Sequence, residues 1–180
     1  MDLTKLPPSI LSQLAAAVND YITGSRKKYS ERATPLSPVQ QAAMQPFFAP
    51  EILNETRLLV LNGSRISDPP FYAMARVMGI RNLPSFSDVA AVTFVDVVVS
   101  HEEFSDDLLF HELVHVAQYA QLGSKEFSLR YVNGFIKSGS YEGIPLEEQA
   151  RELEARFSAN GKQPFSVADE VRSWIEAGKL

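Results

Sequence analysis

Two of the three histidines in this 180-residue chain stand four positions apart, with a glutamate beside the first: His111-Glu112-Leu113-Val114-His115. On a helix, residues i and i+4 share one face a turn apart, so both imidazoles can ligate a single metal ion. Glu112 sits beside that face, where it can orient and deprotonate a metal-bound water. At about 100° per residue, with His111 as origin, His115 falls at about 40°, Gln118 at about 340°, and Glu112 and Tyr119 at about 100° and about 80°. The opposite flank carries Leu109, Phe110, Leu113, Val114, Val116, Ala117 and Ala120. A helix packed through that flank presents both histidines into a cleft.

Two histidines and a water leave a tetrahedral site one protein ligand short. The chain has no cysteine, so disulfides and thiolate sites are excluded and the missing donor is His, Asp or Glu. His101 lies upstream in an expected loop, which makes the later carboxylates Glu142, Glu147, Glu148, Glu152 and Glu154 the better candidates. On a helix over residues 146–157 the buried face centres on Leu146, Ala150, Leu153 and Phe157. Glu147 and Glu154 border that face, whereas Glu148 and Glu152 point away. Glu147 is therefore the preferred third ligand and Glu154 the second choice. The small Ala150 permits close helix approach. Glu147 equally suits the positive end of a helix dipole. Tyr141, Tyr119 and His101 are candidate donors to an oxyanion.

These residues need elements to hold them. Pro7-Pro8-Ser9 opens a helix through about residue 22, and residues 24–38 read as a linker, locally basic at Arg26, Lys27, Lys28 and Arg32. Ser37-Pro38 starts a helix reaching residue 47 or 48. Residues 56–61 form a strand, residues 69–78 a short helix, and residues 90–99 a second strand whose β-branched run suits burial on both faces. Ser105 caps the motif helix, which Gly123 stops near residue 122. Ser124 caps a helix to about residue 137. Pro145 opens the next, ending before Asn160-Gly161, and Ser166 caps the last, which contains Trp174.

The formal net charge of −5 argues against nucleic acid as main partner, because such proteins usually leave a basic footprint. Hydrophobic residues at 45% and charged residues at 22% allow an ordinary core. Met1-Asp2-Leu3-Thr4-Lys5 lacks signal-peptide character, and no apolar run approaches the roughly 18 residues of a membrane span, so a cytoplasmic location is expected. The oligomeric state is unreadable from the sequence.

His111, Glu112, His115 and a later glutamate resemble the gluzincin branch of zinc metallopeptidases. More closely, the stretch from His111 to Gln118 is similar to the H-E-L-x-H-x-x-Q core of small bacterial zincin-like domains, over roughly residues 90–157. The resemblance implies an α+β, predominantly helical domain with a small β-sheet preceding the motif helix. It implies His111, His115 and Glu147 as ligands of one Zn2+ ion, Glu112 as general base, and a peptide or protein substrate. The adjacent Glu148 leaves that alignment open by one position. The expected organisation is an N-terminal helix and basic linker over residues 1–36, followed by the metallopeptidase domain over residues 37–180. The alternative function is a catalytically silent zincin-fold binding or effector-associated module.

Overall fold

The computed structural model describes residues 7–80, 82–159 and 163–180. The N-terminal pentapeptide and the expected helix stop at Asn160-Gly161 lie outside them. The chain is α+β and predominantly helical. Its elements in order are α1 (Pro8–Ser30), β1 (Thr34–Pro35), α2 (Pro38–Met44), α3 (Pro50–Glu55), β2 (Arg57–Val60), α4 (Tyr72–Val77), β3 (Ala91–Phe94), β4 (Val97–Ser100), α5 (Asp106–Ser138), α6 (Pro145–Ala159) and α7 (Val167–Glu176). Among the described residues, no helix is long and apolar enough to cross a membrane.

The strands form one sheet in the order β1-β2-β4-β3. β2 and β4 are parallel, with Leu58 beside Val98, and the outer pairs are antiparallel. Strand side chains alternate between faces, and here both faces are covered. Leu59, Val97 and Val99 join one apolar cluster with Leu14 and Ile22 of α1. Leu58 and Val98 join a second with Phe110, Leu113 and Val114 of α5. Every residue of β4 is buried, as its valine run requires.

Three expectations need correction. The linker expected over residues 24–38 is helical as far as Ser30, and α1 packs along α5. Gly24 lowered the apparent helix propensity there, but Ile22, Ser25 and Tyr29 are buried and tertiary contact decides the outcome. Of its basic residues, Arg26 clamps Asp96 with two hydrogen bonds, at 2.5 and 2.6 Å. The single strand expected over residues 90–99 is instead a hairpin, β3 and β4, turning at Val95-Asp96. Val95 takes φ = 63°, which a β-branched residue adopts only under tertiary constraint. The Arg26 clamp and the bond from Arg57 N to Asp96 O supply that constraint. The expected helix from Ser37 to residue 47 or 48 ends at Met44, followed by the separate α3.

Helix starts follow their caps. Ser37 forms a reciprocal capping box with Gln40, and the hydroxyls of Ser105 and Ser166 accept from Leu108 N and Asp169 N. At Gly123 (φ 72°, ψ 159°) α5 breaks into two helical arms, in line with the expected stop. The first arm packs Leu109, Phe110, Leu113, Val114, Val116 and Ala117 into the second cluster. The other arm, with Phe127, Phe135 and Ile136, packs into the first.

Gly134 on the second arm sets how closely α6 can dock. A Cβ there would lie 2.7 Å from Cδ of Pro145, the first residue of α6, whereas a Cβ at Gly24 meets nothing within 4 Å. Gly134→Ala is therefore expected to destabilise the protein by about 1–3 kcal/mol through overpacking. Gly24→Ala, at an exposed position of α1, should be neutral or stabilise by up to about 1 kcal/mol. Paired urea denaturation curves check both; equal midpoints for the two variants would contradict the docking role of Gly134.

Candidate metal centre

Burial of the motif helix is more complete than an amphipathic pattern suggests. Leu109, Phe110 and the run from Glu112 to Tyr119 are all buried, and the histidine face looks onto α6 and a partly open cavity. The imidazoles of His111 and His115 stand 5.0 Å apart, centroid to centroid. Across from them, the first turn of α6 delivers Glu147, which is 4% exposed. One donor atom from each of His111, His115 and Glu147 lies within 4.8 Å of the others, a group that could hold a metal ion.

The donor spacing fits a small cation. Glu147 Oε2 is 3.6 Å from His111 Nε2 and 3.5 Å from His115 Nε2. Both separations are too long for good hydrogen bonds. Tetrahedral ligands at about 2.0–2.1 Å from zinc stand about 3.4 Å from one another. Glu147 Oε2 is also buried without any hydrogen-bond partner. An unmatched carboxylate oxygen inside a protein is costly unless it meets a cation.

The opposite ring nitrogens are anchored. His111 Nδ1 lies 2.9 Å from Glu154 Oε2, and His115 Nδ1 lies 2.8 Å from Gln118 Oε1. Gln118 Nε2 donates in turn to Leu146 O at 2.9 Å and Gln149 Oε1 at 3.0 Å, and Gln149 Nε2 donates to Glu170 O at 3.2 Å. Such partners fix the tautomer, with Nδ1 protonated and Nε2 free to ligate. Glu154, the second-choice ligand, thus sits behind His111 on its Nδ1 side. Glu148, Glu142 and Glu152 are exposed.

Glu112 stands beside the three-residue group. Its Oε2 accepts a 2.6 Å hydrogen bond from Thr93 Oγ1 of β3, and its charge reaches His111 and His115. Glu112, His115 and Glu147 line one end of a cavity of about 130 Å³, together with Thr93, Tyr119 and Tyr141. Burial, then the charge and hydrogen bonding of Glu147, push the Tyr141 hydroxyl well above the ordinary tyrosine range, so it stays a proton donor. Tyr119 is buried and stacks on Phe127 at 3.7 Å. His101 is differently employed: Nε2 accepts from Ile66 N at 3.0 Å and Nδ1 donates to Val89 O at 2.7 Å. Both nitrogens tie the segment before β3 to the end of β4, leaving none for the site.

Thr93, Gln149 and the role of Glu154 escaped the sequence reading. A hydroxyl interrupting an apolar strand was the available signal for Thr93. For Glu154, the signal was its seven-residue spacing from Glu147, two turns along one face. No protein-family model, no curated protein and no solved structure matches the chain.

The electrostatics of the group set a pH profile. Burial alone would lower the His111 pKa, but Glu147, Glu154 and Glu112 overcome it and raise the value from 6.5 to about 10. His115 is likewise raised against its burial, chiefly by Glu147. Burial would raise Glu147, yet the two histidines hold it well below the ordinary 4.5. A raised histidine pKa adds stability that is complete below 6.5 and lost as pH rises towards about 10. A depressed carboxylate pKa adds stability that is present above 4.5 and lost as pH falls. In chelator-treated protein this cluster should therefore stabilise most between pH 4.5 and 6.5. Thermal unfolding in chelating buffer checks this, with Glu147→Gln reducing both losses. A melting temperature that climbs steadily from pH 6.5 to 10 would contradict it.

Proposed function

We propose that this protein is a zinc-dependent peptidase of zincin-like type, using His111, His115 and Glu147 as ligands and Glu112 as general base. The observation that carries this reading is the convergence of both Nε2 atoms on one buried, unpartnered carboxylate oxygen, with a second carboxylate held alongside. Nitrogen and carboxylate donors without thiolate suit zinc, and three protein ligands leave the fourth position for water or substrate. Bound there, zinc supplies Lewis acidity, polarising a carbonyl and lowering the pKa of its water towards about 7.

The chain's own residues do the rest. Glu112 takes the proton from the water at its free carboxylate oxygen and returns it to the leaving amine, while Thr93 holds the other oxygen. Tyr141, protonated and facing the cavity, donates to the oxygen that gains charge. Glu154 and Gln118 keep the imidazoles oriented through the reaction. β3 is an edge strand of the sheet and borders the motif helix through Thr93, which allows it to pair with an extended substrate segment.

Metal content and peptide cleavage test the proposal together. Wild type should bind one equivalent of zinc. Glu112→Gln should retain the metal and lose about 10²–10⁴ in rate. His115→Ala and Glu147→Ala should lose the metal, whereas Glu154→Ala should weaken affinity by about 10–100-fold. Stoichiometric zinc without cleavage of any member of a broad peptide library would instead support a silent metal-binding module. Full zinc retention in Glu147→Ala would reject the third ligand.

A further inference from the structure

The cavity at the metal centre continues away from it, and its chemistry changes sharply along the way. Among the described residues, the charged groups that line it are Glu112, His115 and Glu147, gathered at one end. Beyond them, among the described residues, the wall is aliphatic or aromatic, with no lysine, arginine or aspartate. α1 contributes Leu14 and Val18, the segment around α4 contributes Phe71 and Phe86, and the second arm of α5 contributes Val132 and Phe135. Tyr21 of α1 packs edge-on against Phe71, Phe86 and Phe94, at centroid separations of 6.0, 5.7 and 5.9 Å, which ties α1 to that segment over the cavity.

Size and polarity both constrain an occupant. The cavity of about 130 Å³ is close in size to an engineered apolar cavity of about 150 Å³ that binds benzene. A peptide backbone threaded through it would leave most of its amides without partners, at about 1–3 kcal/mol each. Apart from the metal-site groups and Thr93, the side-chain polar atoms along the wall are tyrosine hydroxyls, those of Tyr21, Tyr72, Tyr119, Tyr131 and Tyr141. Among the described residues, the hydroxyls of Tyr72, Tyr119 and Tyr131 are not engaged in any hydrogen bond.

We propose that this cavity binds an alkyl or aryl group attached directly to the metal-bound functional group, so that substrates are molecules with a hydrolysable polar head and a bulky apolar tail held beneath α1. This rests on the metal-site reading above and adds to it the class of substrate. An acyl chain and an apolar amino-acid side chain share that chemistry.

Hydroxamates, whose heads chelate zinc, are the probes. Calorimetric titration of the zinc-loaded full chain with acetohydroxamate and straight-chain homologues should show Kd falling about fourfold per added methylene, from about 0.8 kcal/mol each, until the cavity is full. Phenylpropanohydroxamate is the aryl arm. A larger gain from the chain or from the ring identifies the tail, and either supports the proposal. Val18→Trp should flatten the series while leaving acetohydroxamate unchanged. Val18→Ala, which does not add bulk, should let the series extend to longer chains. Acetohydroxamate binding with no chain-length dependence would overturn the cavity proposal and leave the metal site standing. Failure to bind zinc and acetohydroxamate would overturn both.

Discussion

A carboxylate buried in the protein interior must be met by positive charge or by hydrogen-bond donors, and Glu147 imposes that demand on everything around it. Its position in the first turn of α6 places it where the helix dipole helps, but a dipole alone does not satisfy an oxygen with no donor in reach. The two imidazoles of α5 stand nearest that oxygen, and each is held from behind. Glu154 and Gln118 grip the Nδ1 atoms, Gln118 reaches across to Leu146 O and Gln149, and Gln149 reaches Glu170 O on α7. The polar network thus ties three helices together at the point where α5 and α6 meet. Ala150 and Gly134 contribute by what they lack, letting α6 approach closely enough for the network to close.

The sheet serves the same centre from the other side. β4 is buried on both faces and fixes the depth at which the hairpin sits. β3 then brings Thr93 to Glu112, so the carboxylate proposed as base is held by an element remote in sequence from the motif. The hairpin is anchored at its tip by Arg26 of α1. α1 consequently has two tasks, clamping the turn at Asp96 and forming a wall of the cavity beside the candidate metal centre. Among the described residues, the charged side chains of that cavity gather at the helix junction, and the remainder of its wall is apolar apart from Thr93 and tyrosine hydroxyls.

Several elements were legible in the sequence because their causes are local. Ser37, Ser105 and Ser166 cap helices through bonds spanning three residues, and Gly123 and Gly139 take positive φ where helical stretches stop. Other elements were misread for equally physical reasons. The β-branched Val95 looks like strand, yet a two-residue turn is imposed on it by the bonds from Arg26 and Arg57 to Asp96. The basic stretch after Gly24 looks like linker, yet Ser25 and Tyr29 are buried on the inner face of α1. His101 resembled a spare catalytic group, and only the fold shows its ring spent on the backbone at Ile66 and Val89.

By itself the sequence determined the histidine pair, because i and i+4 coincide on any helix, and it singled out Glu147 and Glu154, because helical phase alone separates them from Glu148 and Glu152. Tertiary structure decided how those two glutamates divide their roles, one facing both Nε2 atoms and the other backing a single Nδ1. It also decided that Thr93 holds Glu112 and that α1 walls an apolar cavity beside it. Periodicity within one helix reports which side chains share a face. Which of them meet a partner depends on how closely two helices pack and on strand pairings made across long stretches of chain, and neither is encoded in local spacing.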